Sequence, residues 1–111
     1  MLVEGTYADP LHDGCTRKIT SVGGAAGRYV ISGVYKEDEV GANKDLLGTS
    51  WTAYMTCLFT SRDHTVSLFF VDFCDKDGHD GEAHDDLFAI YVLANKQLTW
   101  QDSNQWTFTP P

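Results

Sequence analysis

Basic residues are scarce in this chain. Eight Lys and Arg stand against sixteen Asp and Glu, for a formal net charge of −8. That balance repels phosphate backbones and anionic lipid surfaces, which argues against a nucleic-acid or membrane partner. Long apolar runs are missing: none approaches the roughly 20 residues of a spanning helix. Cysteine is limited to Cys15, Cys57 and Cys74. An odd count, with no signal-peptide pattern at Met1-Leu2-Val3-Glu4, leads to an expectation of reduced thiols and a cytoplasmic or other intracellular soluble compartment. Helix signals are few. Only Glu37–Leu47 has suitable composition, and Gly41 interrupts it, so it reads as a loop with at most one helical turn. No nucleophile elbow, Walker motif, dinucleotide fingerprint or paired-cysteine zinc motif occurs. The run Gly23-Gly24-Ala25-Ala26-Gly27 lacks the Lys-Ser/Thr of a phosphate loop and suits a tight reversal instead.

What the chain does have is apolar and aromatic side chains in alternation. Hydrophobic residues make up 42% of 111 residues and aromatics 13%, enough for one core and a single domain over residues 1–111. Strand signals recur at Val3–Ala8, Arg17–Val22, Arg28–Tyr35, Ser50–Thr60, Thr65–Phe73, Asp86–Leu93, Gln97–Trp100 and Trp106–Thr109, with turn residues between them. The fold class is therefore all-β. A single-domain antiparallel up-and-down barrel of about eight strands is the leading architecture, with a β-sandwich as the alternative. Closure into a barrel removes exposed edges.

The segment Ser50–Phe73 reads as one long hairpin around Ser61-Arg62-Asp63-His64. With those residues as a four-residue loop, Thr60 faces Thr65. One face then carries Trp51, Ala53, Met55, Cys57 and Phe59 beside Val66, Leu68 and Phe70. The other carries Tyr54 and Leu58 beside Phe69, Val71 and Phe73. Phe88, Ile90 and Val92 likewise alternate with Leu87, Ala89, Tyr91 and Leu93. Strands apolar on both faces are usually covered on both. The outer cover is expected to be a partner subunit, making a homo-oligomer, or else loops or the chain's own termini.

The opening Gly5-Thr6-Tyr7, followed by a turn, a basic strand and a glycine-rich turn, resembles the start of avidin-like and lipocalin-like barrels. The resemblance implies a barrel that binds small ligands inside, and it transfers no ligand residue. Gly5 through Cys15, together with Val71-Asp72-Phe73, also resembles a small family of plant and algal proteins, which brings no activity with it.

Three groups of side chains are candidates for chemistry. Aromatic rings offer large contact areas with polar handles, so Trp51, Trp100, Trp106 and Tyr29 are expected to wall a pocket at a barrel mouth, with Tyr7 and Tyr54 as further members. A filled interior is the competing expectation. Asp72 falls at the rim in the register above. There it would orient a ligand's polar group, serve as a weak candidate acid or base, or pair with Arg17, Lys18 or Arg28. Finally, Asp75, Asp77, His79, Asp80, Glu82 and Asp86 crowd one loop, a candidate site for a divalent cation or a solvated acidic surface. It is no EF-hand, because Asp80 stands where glycine is required and Asp86 where glutamate is. His12, Asp13 and Cys15 are adjacent in sequence without a nucleophile signature, and Cys57 reads as packing.

The expected function is binding of a small apolar or aromatic molecule in an aromatic-lined mouth. An interaction module with a filled core, acting through its outer apolar face, is the alternative. A barrel cyclase or isomerase is the third reading.

Overall fold

Alternation at period two decides which side chains meet inside. The computed structural model describes residues 2–11, 16–35, 45, 47–73 and 87–111. Its eight strands are β1 (Gly5–Ala8), β2 (Thr16–Ser21), β3 (Arg28–Val34), β4 (Ser50–Thr60), β5 (Val66–Asp72), β6 (Leu87–Val92), β7 (Gln97–Trp100) and β8 (Gln105–Thr109). Each pairs antiparallel with the next, and β8 closes on β1 through Thr6↔Thr109, Tyr7↔Phe108 and Ala8↔Thr107. The result is a closed barrel and not a two-sheet sandwich. No helix among the described residues is long and apolar enough to cross a membrane.

Side chains fill the middle of the barrel. Tyr7, Ile19, Ile31, Ala53, Met55, Phe69, Val71, Ala89, Tyr91 and Leu98 are all buried. Full burial of a Val, Leu, Ile, Phe or Met side chain is worth about 1.5–3 kcal/mol, so this filling is the main stabilising term. Gly33 answers a steric demand. A Cβ there would lie 2.3 Å from Cζ2 of Trp51, its cross-strand partner, so only glycine lets that indole lie flat against β3.

The hairpin corrects the expected register. The β4–β5 turn lies one residue later, with the Ser61 N–H donating to the Val66 carbonyl (2.8 Å) and Thr60 opposite Ser67. Asp63 holds the turn: it accepts from the Ser61 hydroxyl (2.8 Å) and the Thr65 hydroxyl (2.7 Å), and His64 takes a positive φ of 62°. A bulge then intervenes at Leu58, between Cys57↔Phe69 and Phe59↔Leu68. A one-residue slip moves every later side chain to the other face. Trp51, Ala53 and Met55 point inward as expected, but their β5 partners are Phe69 and Val71, with Phe73 beyond. Phe59, expected inside, is 65% exposed. Asp72 pairs with the exposed Tyr54 and so lies on the outer face, half-buried, away from the interior rim where it was expected.

Candidate functional site

In an up-and-down barrel the connections alternate between two ends. The β1–β2, β3–β4, β5–β6 and β7–β8 connections lie at one end. Trp51 opens β4, Trp100 ends β7, Trp106 follows Gln105 in β8 and Phe73 follows β5, so this end collects every tryptophan of the chain. Ring centroids are 4.7 Å apart for Trp100 and Trp106, 5.5 Å for Phe73 and Trp100, and 6.0 Å for Trp51 and Phe73. Trp51, Trp100 and Trp106 were expected to share a pocket wall, and they are brought together here.

A buried ion pair runs through this cluster. Arg17 is only 1% exposed, and its guanidinium sits 5.1 Å from the Trp51 ring and 5.5 Å from the Trp106 ring. Its Nη2 donates to Asp9 Oδ2 at 3.2 Å. The other Asp9 oxygen accepts from the Leu11 N–H and from Asn104 Nδ2, each at 3.0 Å. Asn104 is placed by the β7–β8 turn, where the Trp100 N–H donates to its carbonyl (2.8 Å) and Ser103 adopts a φ of 73°. A buried guanidinium needs such a counter-charge, since an unpaired one is strongly unfavourable. The indole N–H groups of Trp100 and Trp106 differ from it. Both are buried and neither has an acceptor among the described residues. A shallow depression of about 410 Å³, lined by Pro10, Leu11, Asp102, Asn104 and neighbours, opens beside the Asp9–Asn104 contact.

At the opposite end the floor is made by the chain's own start. Tyr7 is buried, and its hydroxyl donates to the Val3 carbonyl (2.5 Å) with the Tyr91 hydroxyl 3.5 Å away. Burial, followed by that tyrosine pairing, drives the Tyr7 hydroxyl well above the usual phenol range. Tyr29 lies at this end, apart from the tryptophans, with its ring edge-on to Phe69 at 5.6 Å. Burial raises its pKa as well, opposed in part by a backbone hydrogen bond from Leu2. Tyr29, Phe69, Gly27, Cys57, Thr60, His64 and Ser67 line a half-open cavity of about 240 Å³.

Several expected residues fall elsewhere. Tyr54 is half-exposed on the outside of the barrel, and Tyr7 is core. Asp75, Asp77, His79, Asp80, Glu82 and Asp86 lie outside the described residues, as do His12, Asp13 and Cys15. No cluster of three metal-ligating side chains occurs among the described residues. Sequence reasoning passed over Arg17 and Asp9 as an interior pair, although a signal was present: Arg17 alternates with Ile19, and Asp9 with Tyr7, at inward positions. No signal marked Thr60 and Ser67, because the bulge that turns Thr60 inward has no signature in the residues.

No protein-family model matches the chain, and no curated protein or solved structure is detectably similar to it. The site is therefore read on its own geometry.

Proposed function

We propose that the protein binds a small, largely apolar or aromatic molecule at the tryptophan end, and that it recognises a carbonyl or carboxylate on that molecule. The observation that carries this reading is the pair of buried indole N–H groups on Trp100 and Trp106, without acceptors among the described residues and next to a guanidinium flanked by Trp51 and Trp106. A buried donor left unmet costs about 1–3 kcal/mol, so two side by side favour any occupant that brings an acceptor. Indole faces supply the apolar contact and the N–H groups the orientation. Arg17 and Asp9 take over the orienting role expected of Asp72.

The test is a tryptophan-emission titration with benzoate, acetophenone and toluene. Benzoate or acetophenone should change the emission at lower concentration than toluene. Replacing Trp100 and Trp106 together by Phe keeps an aromatic ring at each position, removes the donors and should lower the affinity for benzoate by about tenfold or more. An emission spectrum indifferent to all three compounds would sink the reading.

A second reading rests on a separate observation. The outer face of β4, β5 and β6 exposes Tyr54 (50%), Leu58 (54%), Phe59 (65%), Val66 (38%), Phe88 (41%) and Ile90 (45%). The bulge enlarges this patch by turning Leu58 and Phe59 outward together. Asp72 is the one charged side chain at the outward positions of these strands among the described residues. A closed barrel offers no strand edge, so association has to use a face. These half-exposed side chains amount to something on the order of 600 Å² per copy, near the lower end of a stable dimer. Such a patch, apolar apart from Asp72, is complementary to itself, which favours a second copy of this chain as its cover. Sedimentation of the wild type and of Phe59→Asp tests it: a dimer converted to a monomer supports the reading, and a wild-type monomer at every concentration ends it.

A further inference from the structure

A cavity lined in part by hydroxyls lies at the end opposite the tryptophans. Three contacts join its polar groups. Cys57 Sγ reaches the Phe59 carbonyl at 3.6 Å, Cys57 Sγ and Thr60 Oγ1 are 3.3 Å apart, and Thr60 Oγ1 and Ser67 Oγ are 3.2 Å apart. Each contact needs one hydrogen, and each of these side chains has one to give. A carbonyl has none, so the Cys57 S–H goes to Phe59. Thr60 must then donate to the sulfur, and Ser67 to Thr60. All three contacts are satisfied together in this direction alone.

The consequence falls on Ser67. Its hydrogen is committed to Thr60, and no donor among the described residues reaches its oxygen. That oxygen belongs to a side chain only 1% exposed, in the wall of a cavity of about 240 Å³. The same wall carries the Tyr29 and Phe69 rings, edge to face at 5.6 Å. Among the described residues the lining holds no lysine, arginine or carboxylate, and His64 is its one ionisable side chain besides Tyr29 and Cys57. An apolar cavity of about 150 Å³ already holds a benzene molecule, so this one has room for a single ring with a small substituent.

We infer that the cavity formed by Tyr29, Cys57, Thr60, Ser67 and Phe69 binds a neutral single-ring molecule carrying one hydroxyl, which donates to Ser67 Oγ while the ring packs on Tyr29 and Phe69. The chemistry is the reverse of that at the tryptophan end: here the protein accepts, there it donates. The two sites stand or fall separately.

The experiment is an amide NMR titration of the whole protein with phenol, anisole and toluene. Phenol should move the Thr60, Ser67 and Phe69 amides and bind about fivefold to tenfold more tightly than anisole or toluene, which lack the donor. Ser67→Ala should erase that preference while leaving toluene binding in place. The comparison of phenol with anisole on the wild-type protein decides the question without any variant. Equal binding of all three compounds, or phenol shifts confined to the indole N–H signals of the tryptophan end, would overturn the proposal.

Discussion

At the tryptophan end, four large aromatic rings gather beside a buried ion pair, and the indole N–H groups of Trp100 and Trp106 have no acceptor among the described residues. At the hydroxyl end, short side chains and tyrosines are bonded to one another and to the chain's first residues. One end depends on charge held among large apolar surfaces, the other on neutral hydrogen bonds around a modest hollow. One barrel thus closes its two mouths by different physics, and among the described residues each leaves a different group unmet: donors at one, an acceptor at the other.

Arg17→Met should have the largest effect on the tryptophan end. It strands Asp9 as a buried charge, and removing one partner of such a pair costs about 3–5 kcal/mol, a large share of a domain's stability. Urea unfolding should register that loss, and Asp9→Asn should register a comparable one, because it takes the carboxylate charge away from the buried Arg17 guanidinium, which cannot shed its own charge. Next comes Gly33→Ala. The new methyl meets the Trp51 ring, so the indole must move, at about 1–3 kcal/mol and with a shift in tryptophan emission.

The hydroxyl end should respond more mildly and with a different pH signature. Tyr7→Phe removes the bond to Val3 and should cost about 1–2 kcal/mol. The folded Tyr7 hydroxyl holds its proton more tightly than an unfolded one. Its contribution is complete below the ordinary phenol pKa, near about 10, and is lost as pH rises above it. The alkaline fall in stability should therefore be shallower in Tyr7→Phe than in wild type, as read from thermal midpoints at rising pH. The smallest effect belongs to Asp63→Ala in the exposed β4–β5 turn. Hydrogen bonds from the Thr65 and Ser61 hydroxyls, with backbone help, hold this carboxylate below its usual range. Its contribution is present above the ordinary carboxylate pKa and lost as pH falls through the lowered one. Wild type and variant should thus converge in acid, below about pH 4.

Strand positions were legible in the residues because alternation and turn chemistry are local; a closed barrel was the leading expectation, but the same pattern suited a sandwich, since closure rests on the distant pairing of β1 with β8. The meeting of Trp51, Trp100 and Trp106 was legible too, since it follows from their places at strand ends on one side of an up-and-down barrel. The faces of the hairpin were half legible. Trp51, Ala53 and Met55 point inward in agreement with their pattern, but Phe69 and Val71, not Leu68 and Phe70, oppose them. The turn held by Asp63 moves each partner along by two residues and keeps the face, and the extra residue at Leu58 then switches the face. Apolar side chains on both faces of β5 gave no basis for choosing between registers. Asp72 went to the wrong face for that reason alone. Tyr29 is aromatic and inward-facing as expected, but alternation fixes a face and not an end, so its distance from the tryptophans was hidden.

The seam between β1 and β8 has a kinetic meaning. It joins strands near opposite ends of the sequence, Tyr7 with Phe108, through one of the shortest ladders in the barrel. Contacts of such wide sequence separation carry a large loop-closure cost and slow folding. Until β8 has been synthesised, the other strands form an open sheet with two raw edges, and Tyr7 lacks the Phe108 ring that packs against it. Aggregation risk is concentrated in that interval, and the pairing of β8 with β1 ends it.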